Sequence, residues 1–341
     1  AGWLSILPPI IAIGLALVTK EVLSSLLLGV LSGSLIWAIG TGANPVMGTV
    51  SATFGIMVNK LDFTIILFTS MLGALVYCIS LSGATKAYGH WALGKIRSRR
   101  GALMATTGLG ICIFIDDYFS CLTTGTVMRP VTDAHRISRA KLAYLVDTTA
   151  APVCIIAPIS SWAAAVGSSL KTTGAFENDL AAFVAAIPWN FYALVAIGLA
   201  LFISWTSYDI GPMKAFEKRA MEGIDNGAGT GVVKSDALDR AGEKGTVADM
   251  IIPIIALICF AVFCLLYSGG YWGKDPKFHT VFAALGNTSA STALVWACFG
   301  AHIVTLIMFL SRKVMSFKTY MDGFVEGVKV MLPANMILVL A

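Results

Sequence analysis

Charge is what this sequence has least of. Only 13% of its 341 residues are Asp, Glu, Lys or Arg, about half the ~25% of an ordinary soluble domain. Meanwhile 57% are hydrophobic, and mean hydropathy is +0.80. That excludes a water-soluble globule, and apolar runs long enough for a ~30 Å hydrocarbon core recur along the chain. The strict alternation of an outer-membrane barrel is missing as well. The seven cysteines form no CxxC and all lie in apolar segments, and the four histidines show no HExxH spacing. No zinc site and no cofactor are therefore expected. The chain reads as an all-α polytopic membrane protein, multi-pass in the cell inner (plasma) membrane, with the lipid bilayer as its first partner. No initiator Met or signal peptide is recognisable, and the last residues, LPANMILVLA, stop inside an apolar run. A piece of a longer protein is expected.

The scarce charges are informative. The net charge of +5 comes from basic residues gathered in loops 83–101, 129–141, 208–247 and 311–329. That pattern orients a membrane protein, with those loops cytoplasmic, and is no nucleic-acid footprint. Loops 42–60, 171–182 and 269–280 are nearly free of net charge. Since 83–101 and 129–141 lie on one side, the segment between them must enter and leave there. Residues 102–128 are thus expected as a re-entrant hairpin. Residues 84–98 read as an amphipathic surface helix leading into it.

The middle of that hairpin holds Asp116 and Asp117, with no charge in 101–115 or 118–128. An ionised Asp at membrane depth costs about 2.5–3.5 kcal/mol on insertion scales, and two touching carboxylates repel unless a cation or proton joins them. Ser120, Thr123 and Thr124 add oxygen ligands beside Gly125. The next run, 142–170, contains Asp147, Thr148, Thr149 and Pro152, and is expected to be a discontinuous helix broken there. Broken helices expose carbonyls at one half-helix end and N–H groups at the other, suited to cations and anions respectively. Ser160, Ser161 and Trp162, with Asn287, are candidates for an organic-substrate pocket.

Pro9-Ile10-Ile11-Ala12 returns as Pro253-Ile254-Ile255-Ala256, and runs 3–18, 22–41 and 61–82 match 248–268, 281–310 and 331 onward in order. Their polarity is opposite, which reads as an inverted-topology repeat. Residues 1–207 form the first transmembrane repeat, 208–247 a cytoplasmic linker, and 248–341 a second repeat truncated before its hairpin. Inverted repeats with broken helices at mid-membrane mark secondary transporters.

The stretch FIDDYFSCLTTGTVMRPVTD, with SRAKLAYLVDTTAAPVCIIAPISSW after it, resembles the NhaC family of sodium/proton antiporters in the ion transporter superfamily. The resemblance implies sodium held between hairpin tip (Asp116, Asp117, Ser120) and helix break (Asp147, Thr148, Thr149). It also implies elevator-like movement against a dimeric scaffold, hence a homodimer. Sodium and protons are then coupling ions competing for Asp116, Asp117 and Asp147. The alternative is a sodium-coupled carrier of an amino acid or of a small carboxylate such as lactate or malate, with half-helix N-termini near 119 and 153 holding its carboxylate. An enzyme is not expected. A magnesium-binding Asp pair is usually followed by another acid within a helical turn, but here the next is Asp133. A channel would need a symmetric filter.

Overall fold

The computed structural model describes residues 2–61, 63–114, 117–157, 160, 162, 166, 170, 179–223, 242 and 244–340. In chain order its helices are α1 (Leu7–Thr19), α2 (Val22–Gly40), α3 (Pro45–Lys60), α4 (Phe63–Leu81), α5 (Ala84–Lys95), α6 (Arg99–Cys112), α7 (Asp117–Ala134), α8 (Arg139–Cys154), α9 (Asp179–Ala186), α10 (Phe191–Thr206), α11 (Pro212–Met221), α12 (Ala248–Ser268), α13 (Val281–Gly286), α14 (Ala290–Ser311), α15 (Phe317–Val330) and α16 (Leu332–Leu340). No strand occurs among the described residues. Four of these helices are long and apolar enough to cross a membrane, or six spans if each of two bent pairs is one. The chain is an all-α polytopic membrane protein.

It divides into two compact units. The first is Ala1–Ser70 with Lys329–Ala341. Here α1 packs on α2, and α2 packs on α3 and α16. Residues 42–60, expected as a loop, hold α3. Its start is built by Asn44, whose side chain accepts from the Val46 and Met47 N–H groups at 3.0 Å each. Pro45 follows at a position that needs no donor. Asn335 of α16 is buried. Its Oδ1 accepts from the Thr69 hydroxyl at 2.5 Å, and its Nδ2 donates to the Ser70 hydroxyl at 2.8 Å. An amide thus holds two apolar helices together where dispersion alone gives little specificity.

The second unit is Met71–Val328. Within it, α12 and α14 run antiparallel. Asp249 at the start of α12 pairs with Arg312 just past α14, and at the far end Thr288 donates to the Leu265 carbonyl at 2.9 Å. The basic stretch 311–329, expected as a loop, holds α15. Tyr320, Gly323 and Gly327 form its buried face, at the spacing of one helical stripe. A methyl group on Gly327 would overlap the Ala74 backbone of α4, a close approach of the GxxxG kind. The apolar segment 182–206 bends by 59° between Trp189 and Phe191. The Asn190 side chain accepts from the Ala193 N–H at 3.3 Å and restarts the helix. α5 is helical as expected, with Ala84, Thr85, Gly89 and Ala92 buried and Lys86, His90, Trp91 and Lys95 exposed.

Candidate functional site

Two observations show that α6 and α7 are the arms of a hairpin. The Ser120 hydroxyl donates to the Gly110 carbonyl at 3.4 Å, whereas ten residues of unbroken helix would hold them ~15 Å apart. α6, which ends at Cys112, and α7, which begins at Asp117, therefore lie side by side. At the other end both arms return to one carboxylate. Glu217 of α11 is buried, pairs with Arg99 at the start of α6, and accepts from the Ser138 N–H, just past α7, at 2.7 Å. Because α6 is 14 residues long, the turn stands about 20 Å from this base.

The base is an ionic knot. Lys141 at the start of α8 is fully buried, with its Nζ 2.6 Å from Asp209 and 4.0 Å from Glu217. Burial lowers the pKa values of Lys141 and Arg99, and Asp209 pulls both back towards the charged form. Two cations and two carboxylates, contributed by α6, α8, α11 and the segment before α11, thus fix both arms of the hairpin. Sequence reading missed this knot. Glu217 lies in AFEKRAM, which looks like a solvated helix face, and in the folded chain only Ala220 is buried beside it on that helix.

At the tip, Asp117 opens α7 and is half-buried, where the helix N-terminus favours a carboxylate. Its neighbour Asp116 lies outside the described residues. Gly110 approaches α8 so closely that a methyl group there would overlap the Thr149 hydroxyl, an approach open to glycine alone. Gly110, Ser120 and Thr149 are therefore brought together from α6, α7 and α8. The hydroxyls of Thr148 and Thr149 donate back to the Tyr144 and Leu145 carbonyls at 2.6 and 2.7 Å. Those of Thr123 and Thr124 do not: both are buried and lack a hydrogen-bond partner among the described residues. A buried hydroxyl left unpaired costs about 1–3 kcal/mol, so this pair on α7 is an unused donor–acceptor set.

The interruption expected at Asp147–Thr149 is not there. α8 runs continuously from Arg139 to Cys154 with Pro152 inside it. Nearly every residue from Leu145 to Cys154 is buried, and that packing outweighs the ~3 kcal/mol that an interior proline costs. Pro152 still has no N–H to give, so the Thr148 carbonyl is without its helical donor. The helix ends after Cys154, where the buried Ser160 hydroxyl sits 2.6 Å from the Cys154 carbonyl and 3.0 Å from that of Ala157. Asp147 itself is exposed. Trp162 is exposed, and Ser161 lies outside the described residues. Asn287 is remote in sequence, exposed, and donates to the Gly269 carbonyl at 3.2 Å. Among the described residues, no three of His, Cys, Asp and Glu gather to hold a metal ion.

A family model described as the Na+/H+ antiporter family matches residues 153–341, beginning just after the hairpin and most of α8. A protein of Haemophilus influenzae, described only as uncharacterized, is 35% identical over 347 residues and covers 99% of this chain. This chain spans about 65% of that relative's length. No solved structure matches.

Proposed function

Because this chain belongs to the Na+/H+ antiporter family, we propose that it works in a secondary transporter exchanging sodium for protons, with the tip of the α6–α7 hairpin as the exchange site. The NhaC branch is the one its hairpin motif resembles. The reading rests above all on the return of both hairpin arms to Glu217. A hairpin of this length, entered and left on the basic side, carries its acids about two thirds of the way into a ~30 Å core. An acid there is expensive unless a proton or cation accompanies it, and that either/or occupancy is what couples one ion to the other.

In this mechanism Asp117, with Asp116 beside it in sequence, takes either a proton or a sodium ion. Sodium is a hard cation and takes oxygen ligands. Oxygens of that class on α7 and α8 are the Ser120 hydroxyl, the unpaired hydroxyls of Thr123 and Thr124 and the freed Thr148 carbonyl, with Thr123 lining a cavity beside Ser80 and Thr85. Asp147, being exposed, serves as a relay to the surrounding medium. Glu217, Arg99, Lys141 and Asp209 hold the arms and do not touch the ions. Movement of the hairpin against a dimeric scaffold in the plasma membrane completes the proposal.

The test is binding of labelled sodium to the purified protein at acidic and alkaline pH. Competition for one carboxylate site requires affinity to fall as pH falls, and Asp117→Asn to abolish both binding and its pH dependence. Sodium binding that ignores pH would contradict the exchange. A requirement for an added amino acid or carboxylate would favour a sodium-coupled solute carrier instead.

A further inference from the structure

The second unit holds a titratable pair that the hairpin chemistry does not use. His302 of α14 and Tyr320 of α15 are both buried. The His302 Nε2 lies 2.8 Å from the Met71 carbonyl of α4, and its Nδ1 lies 2.7 Å from the Tyr320 hydroxyl. Met71 stands near the midpoint of α4 and His302 near the middle of α14, two of the helices able to cross a membrane. The imidazole thus joins two spans at mid-depth. A carbonyl can only accept, so Nε2 carries the hydrogen, and Nδ1 of the neutral ring accepts from Tyr320. The phenol has a second acceptor in reach, the His302 carbonyl at 3.4 Å. The ring of Phe324 lies 5.1 Å from the imidazole.

We propose that His302 is a proton-binding site distinct from the hairpin acids. A hydronium ion gives its proton to Nδ1 and leaves as water, and the Tyr320 O–H turns away to the His302 carbonyl. The phenol oxygen then accepts from the new Nδ1–H, while Nε2–H keeps Met71. Charge rises by one, no heavy atom has to move, and every donor still has an acceptor. The Phe324 ring offers the cation an aromatic surface. Among the described residues, the other titratable groups around the pair are the Cys78 thiol of α4, which donates to the Tyr320 carbonyl at 3.5 Å, and the Cys298 thiol of α14. Of these four side chains only the imidazole is a base, so a proton gained by the cluster sits on His302. A purely structural role needs only fixed partners, such as Asn335 has with Thr69 and Ser70. An intramembrane ionisable ring with a reversible partner is a different arrangement.

The experiment is nitrogen NMR of histidine-labelled, full-chain protein in liposomes, with the His302 signals assigned by their loss in His302→Gln. The neutral Nε2–H tautomer should appear at about pH 8 and a doubly protonated ring at about pH 5. An unchanged Nε2–H tautomer across that range overturns the proposal. Tyr320→Phe keeps the ring and removes the switchable partner, and provides assignment by shift should the glutamine variant not fold. It should move the His302 midpoint by about one pH unit or more, the scale of a charge-assisted hydrogen bond, and leave His90, His135 and His279 in place. An unmoved midpoint overturns the role of Tyr320. The readout is independent of transport, so failure of the hairpin reading leaves it intact.

Discussion

Gly110 of α6 faces Thr149 of α8 with no space for a side chain between them. The contact seats the tip of the hairpin on α8, while Glu217 holds its base. Gly110→Val should therefore push the tip off α8. Overpacking of this kind costs about 1–3 kcal/mol, visible as a lower thermal midpoint in detergent. Sodium-driven proton movement should fall further than stability does, because the displaced groups are those proposed to hold the ion.

The ionic knot at the hairpin base makes two expectations. Glu217→Ala leaves Arg99 and the fully buried Lys141 with Asp209 as remaining carboxylate, and removing one partner from a buried charge network costs about 3–5 kcal/mol. Chemical unfolding should show that loss.

The sign of the pH effect follows from Lys141. Burial lowers its folded-state pKa, so between that value and the unfolded ~10.4 the unfolded chain binds more protons. Stability should rise with pH in that window, and the penalty for the buried ammonium is present in full below it. Lys141→Met should flatten this alkaline slope. A slope unchanged in that variant would assign it to another group.

Thr124→Val separates stability from function. It replaces a buried, unpartnered hydroxyl with a methyl of similar size. The variant should be more stable by about 1 kcal/mol, the cost of the unsatisfied group being removed. It should also bind sodium more weakly. Greater stability with undiminished sodium binding would remove this hydroxyl from the site.

In the first unit, Asn335→Leu removes the amide bonds to Thr69 and Ser70. Thr69 can still donate to the Ile65 carbonyl, 3.1 Å away, so the loss should be modest, about 1 kcal/mol as for interhelical hydrogen bonds in other membrane bundles. Unfolding in mixed detergent reads this directly.

The helical membrane architecture was legible because it rests on composition and on long apolar runs, which tertiary packing does not override. The side-by-side placement of α6 and α7 agrees with a topological reading of the sequence, since the loops flanking 102–128 are both basic. Segments with mixed polarity were read less well. α3 looked like a loop, although Asn44-Pro45 carried a helix-start signal. α15 was masked by Lys318, Asp322 and Lys329, while its buried stripe of Tyr320, Gly323 and Gly327 was overlooked. Pro152 was given too much weight as a breaker, because burial of α8 around it cannot be seen in a sequence. Glu217 and His302 owe their meaning to partners far along the chain, at Arg99 and Met71, and no local pattern could announce them.

The most direct measurement is the pH inside proteoliposomes during a sodium jump, for the protein and for Asp117→Asn. Inward sodium should drive protons outward and raise internal pH, and the asparagine variant should give no change although it folds and inserts. A full response from Asp117→Asn, or no response from the unaltered protein, would contradict exchange at the hairpin tip.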